Sequence, residues 1–163
     1  MLPPLQDDAQ TVLANWMKTD LSETALSKKS RTDKYAIYPR YLQKAADLLG
    51  EGNYAHPVML ARMHFFKGYL LALSNQNPDP ELGGRALAEF RECLRLQPRM
   101  AMADWQMSWV FANNFQQADS AEHYARRAME MYPTWVLPRT DIAYLLSVKF
   151  KLFERARPFL EEA

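Results

Sequence analysis

The sequence predicts an all-α fold built from helical hairpins stacked on one another. Three observations carry that expectation. Only five Gly occur in 163 residues, β-branched runs are missing and no strand-like alternation persists, so the signals for sheet are weak. Apolar residues instead recur at helical spacing between Pro-, Gly- and Asn-containing breaks. Past residue 57 the small residues and the breakers themselves recur, at an interval of 35 residues.

In chain order, Pro3 and Pro4 followed by Asp7 and Asp8 open a first helix, where carboxylates suit the positive end of the helix dipole. Val12, Leu13, Trp16 and Met17 form its apolar face. A second helix starts at Asp20, with Glu23 in capping-box spacing. Ser27 to Lys34 reads as a solvated loop, because its run KKSRTDK is basic and lacks interleaved aromatics. Pro39 suits the first turn of a helix reaching about Leu49, closed by Gly50 and Gly52. Pro57 opens a long apolar helix to about Ser74, which NPDPE breaks. Asp79 then caps the next helix, with Pro80 at its first position and Glu81 in its first turn. Residues 1–56 thus form an N-terminal extension of two or three helices without repeat register, packing on a repeat region 57–163. The repeat units are 57–98, 99–133 and 134–163.

The register is shared by several positions. Ala86, Ala121 and Ala156 stand 35 apart, as do Cys93, Ala128 and Ala163, and Pro98 and Pro133 keep the same interval. Upstream, Met107, Ser108 and Phe111 are matched by Ile142, Ala143 and Leu146. Two helices can cross closely only where their contact positions are small. A hairpin that cannot bury its own apolar face stacks on the next, which forces the pattern to recur.

These residues resemble the tetratricopeptide repeat family, whose signature is W-x2-L-G-x2-Y on one helix, then A-x3-F and Pro on the next. MSWVF (Met107 to Phe111) and IAYLL (Ile142 to Leu146) are similar to the L-G-x2-Y part, and ALAEF (Ala86 to Phe90) matches A-x3-F. Ala125 stands at the Phe place of the second unit with Tyr124 just before it, and Leu160 takes that place in the third. Asp104 and Arg139 occupy the family's Trp position, and Lys67 precedes Gly68 where Leu belongs.

The resemblance implies a right-handed α-α superhelix whose concave side binds a partner protein or peptide. The partner-binding residues it implies are Phe65, Tyr69, Met102, Trp105, Trp109, Asn113, Thr140 and Tyr144. That groove is aromatic and almost uncharged, without the Lys and Arg cluster that clamps a peptide carboxylate in some members. The competing reading makes the same aromatics core residues covered by the N-terminal helices.

Composition narrows the function. A net charge of +1 supplies no field for nucleic acid or an anionic membrane. The longest apolar run, YLLAL from Tyr69, is far short of a membrane span, and MLPPLQDD turns acidic where a leader would be basic and then apolar. Cys93 has no disulfide partner and, at a tight crossing, is expected to be an inert buried thiol. His56, His64 and His123 lie far apart, so neither metal nor cofactor is expected. No phosphate loop is present, since Gly83 and Gly84 lack the pattern around them.

The expectation is a non-catalytic interaction module, cytoplasmic, or periplasmic if it belongs to a larger membrane protein. Two alternatives stand beside it: a soluble accessory or sensory domain of a larger envelope enzyme or transcription regulator, and a secretion-type chaperone shielding apolar cargo. The stop at Ala163, without a helix terminator, implies either a fragment or a protomer forming a homo-oligomer through Phe159 and Leu160.

Overall fold

The structure, a computed structural model, describes residues 4–17, 28–74 and 78–161. The helix expected from Asp20 lies outside them. The described residues are helical throughout, without a strand, in the order α1 (Pro4–Met17), α2 (Lys28–Tyr35), α3 (Tyr38–Leu49), α4 (His56–Ser74), α5 (Pro80–Leu96), α6 (Ala101–Asn114) and α7 (Ala118–Met131). Then come α8 (Val136–Tyr144), running on into a π-helical turn (Leu145–Lys149), and α9 (Phe153–Glu161). No helix among the described residues is long and apolar enough to cross a membrane.

From α3 onward each helix packs chiefly on its chain neighbours, while α1 rests on α3 and α2 on α4. Short connections such as 97–100 and 115–117 make adjacent helices turn back on each other. The start of α5 shows how local chemistry sets a boundary. The Asp79 carboxylate accepts the Leu82 amide at 3.0 Å, Pro80 fills a position whose amide has no helical partner, and Glu81 meets the dipole. One expected loop is helix instead: residues 28–35 form α2. Its sequence is strongly polar, but Tyr35 at its end is fully buried and sets its ring 5.8 Å from Phe66 and 5.7 Å from Tyr69. That aromatic anchor overrides weak local propensity.

The recurring small residues among the described ones lie inside, and Ala163 falls outside the described residues. Ala86, Ala121 and Ala156 are at most 1% exposed, and Cys93 and Ala128 are fully buried. Gly68 shows why such positions stay small, since a Cβ there would stand 2.8 Å from the Phe90 ring. Ser108 and Ala143, at the matching places of the later units, are buried too. At the Leu160 position the structure differs from expectation. Phe159 is buried under the Arg126 guanidinium at 4.6 Å, whereas Leu160 is 61% exposed. Phe159 stands 35 residues after Tyr124, which stacks on Phe111, so both units place the inward aromatic one residue early.

The backbone repeats with the side chains. Gln117 N–H donates to Phe111 O at 3.1 Å and Leu152 N–H to Leu146 O at 2.7 Å, each across a left-handed residue, Gln116 (φ 56) or Lys151 (φ 60). These are the same helix-ending bond and the same turn, 35 residues apart. Gln97 N–H to Cys93 O and Tyr132 N–H to Ala128 O form a second such pair. Buried apolar residues gather in two clusters, one from Ala9 to Trp135 and one around Ile142 to Phe159, and Trp109 and Phe111 pack against both. Arg155 adds a polar tie from α9 to α7, 2.8 Å from Asp119 and 2.7 Å from Glu122.

Candidate functional site

Two tryptophans and one carboxylate meet where α6 faces α8. Trp105 and Trp109 lie four residues apart on α6, hence on one face of that helix. Both indole Nε1–H groups donate to the same oxygen, Asp141 Oδ2, at 2.8 and 2.9 Å. The Trp105 ring also meets Trp135 edge-on at 5.2 Å. Burial pushes the Asp141 pKa up, and the two indole hydrogen bonds only partly pull it back. Among the described residues Oδ1 receives no hydrogen bond and Asp141 makes no ion pair.

The same helix carries an uncovered stripe. Val136, Thr140, Tyr144 and Val148 follow at four-residue steps through α8 and the π turn, and Val136, Tyr144 and Val148 are 44%, 53% and 48% exposed. Thr140 Oγ1 donates to Leu137 O, and Ser147 Oγ to Ala143 O at 2.7 Å, just where the helix loosens to i→i−5 bonding.

The remaining sequence-predicted positions lie elsewhere. Phe65 is fully buried, stacked parallel on Tyr69 with centroids 6.2 Å apart and tilted against Phe90. Tyr69 is buried as well, its hydroxyl accepting from Arg31 Nη1 at 3.2 Å and its ring against Tyr35. In this first unit α2 and its aromatic anchor occupy the side where a groove was expected. Met102 is buried, and Asn113 is half-buried with its carbonyl accepting from Gln116 Nε2. Trp105 is buried, Trp109 half-buried, and only Thr140 and Tyr144 of the eight are exposed. Asp141 was not among the sequence-predicted positions, because its two partners lie 36 and 32 residues away on another helix.

A second polar feature lies deeper. Asp104, at the place where the resembled family has Trp, is fully buried, and neither carboxylate oxygen has a hydrogen-bond partner. Desolvation lifts its pKa to about 6, against the partial pull of Arg127, 3.5 Å away, and of His123. The nearby Cys93 thiol is pushed up to about 12 by its burial and by the Asp104 charge, and it points at Met100 Sδ 3.1 Å away. His56 and His64 are engaged locally, with Ala46 O at 3.0 Å and Glu89 Oε2 at 2.7 Å. Among the described residues no three His, Cys, Asp or Glu side chains gather as metal ligands would. Compared with family models, with curated proteins and with solved structures, the chain matches none.

Proposed function

We propose that the chain is a non-catalytic module of tetratricopeptide-like hairpins, coiled as a right-handed superhelix, that holds a segment of a partner protein. The observation that carries this reading is the stripe of Thr140, Tyr144 and Val148 along α8 and the π turn, exposed beside the hydrogen-bonded Trp105–Asp141–Trp109 cluster. Exposed aromatic and aliphatic groups next to a fixed polar point are what peptide recognition uses, because aromatics bury large areas at low entropic cost. The repeat assignment is supported by the small residues buried at a 35-residue interval and by the recurring helix-ending bonds. The non-catalytic reading is supported by the burial of Asp104 and Cys93, two of the groups whose titration is shifted, which puts both out of reach of a substrate.

Display selection of peptides on the full chain, followed by calorimetry, tests the proposal. A selected peptide is expected to lose about tenfold or more in affinity for a Tyr144→Ser, Val148→Ser double variant whose melting temperature is unchanged. Equal affinity for wild type and a folded double variant would remove this face from consideration.

A further inference from the structure

Asp141 holds one oxygen saturated and one free. Oδ2 takes both indole N–H groups, which orients the carboxylate, while among the described residues Oδ1 has no donor. Among the described residues no cation pairs with Asp141. The charge is therefore oriented but under-compensated, in a half-buried place where a counter-charge counts for more than in water. Tyr144, a turn along the same helix, leaves about half of its surface free (53%), and Trp109 is only half-buried. Aromatic rings beside a carboxylate attract a cation twice, through the ring quadrupole and through the ion pair. A guanidinium gains most from a carboxylate that offers both oxygens to its fork, and here one is already taken twice. A compact ammonium needs only one.

Resting on the partner-binding reading above, we infer that Asp141 Oδ1, beside Trp109 and three residues before Tyr144 on the same helix, is a subsite for a primary ammonium group, carried by a lysine of the bound segment. Asp141→Asn is the discriminating variant. Its carbonyl oxygen can still accept both indole N–H groups, while its amide nitrogen turns donors toward the ligand.

The test follows the indole N–H resonances of Trp105 and Trp109 in the full chain as blocked pentapeptides are added. One peptide carries a central lysine; matched ones carry arginine, N-acetyl-lysine or norleucine, and a fifth has norleucine with a free amino terminus. The lysine peptide is expected to move both resonances saturably and the neutral peptides not at all. Arginine should bind about tenfold more weakly, the scale of one charge-assisted contact. Asp141→Asn should keep both resonances but lose the response. A larger response to the free amino terminus than to lysine would overturn the assignment to a side chain. Equal responses to lysine and N-acetyl-lysine in wild type would overturn the ammonium subsite outright, whether or not the variant folds, and would leave the partner-binding reading standing. That reading falls separately, if the Tyr144, Val148 variant keeps its affinity for selected peptides.

Discussion

Asp104 Oδ1 lies 3.5 Å from Arg127 Nη1, a loose ion pair beside two carboxylate oxygens that accept no hydrogen bond. A charge held so has a measurable consequence. The folded-state pKa of about 6 lies above the ordinary 3.8, so the folded chain binds this proton more tightly than the unfolded one. The favourable contribution is full below the ordinary value and is lost as the pH rises through about 6. Asp104→Asn removes that dependence. Denaturant melts of the two proteins should nearly coincide at acid pH and diverge on raising the pH, the variant ending up to about 3 kcal/mol more stable. A constant difference across the range would show that Asp104 does not titrate there.

Two glycines on neighbouring helices should respond oppositely to the same change. A Cβ at Gly84 meets nothing within 4 Å, so Gly84→Ala should stabilise by about 1 kcal/mol through helix propensity alone. A Cβ at Gly68 would stand 2.8 Å from the buried Phe90 ring, and Gly68→Ala should destabilise by about 1–3 kcal/mol. Thermal unfolding of the two single variants checks both signs.

The left-handed residues that end α6 and the π turn are Gln116 and Lys151, both exposed. Side chains beyond glycine are strained there. Lys151→Gly and Gln116→Gly are each expected to gain about 1 kcal/mol, and nearly additively because they lie in different turns. Loss of stability in either would mean that the side chain itself holds the turn.

Cys93 should behave as a small apolar residue. Fully buried and with its thiol at about 12, it should resist a thiol reagent in the native protein and react with one equivalent once the chain is unfolded. Rapid modification under native conditions would place it on an opening segment.

How much of this was readable beforehand follows from the range of the forces involved. The Asp79 cap, Pro80 and the long helix to Ser74 depend on neighbours in sequence, and the letters there were sufficient. The inward small residues were readable because a close crossing leaves few alternatives, and Ala86, Ala121 and Ala156 satisfy it. α2 was not, because its anchor Tyr35 needs Phe66 and Tyr69, more than thirty residues away. The choice between Phe159 and Leu160 failed on one residue of register, which turns a side chain by a quarter of a helix circumference. Asp141 escaped notice because its role exists only once α6 and α8 lie face to face.

Gln116 and Lys151 have one further consequence. A stretch of chain running from one to the other begins and ends in the same local geometry, so its two cut ends are interchangeable. Copying residues 117–151 in tandem would insert a second copy of this helical segment at a turn the chain already makes, without inventing a joint. The number of helices is, in that sense, adjustable by duplication.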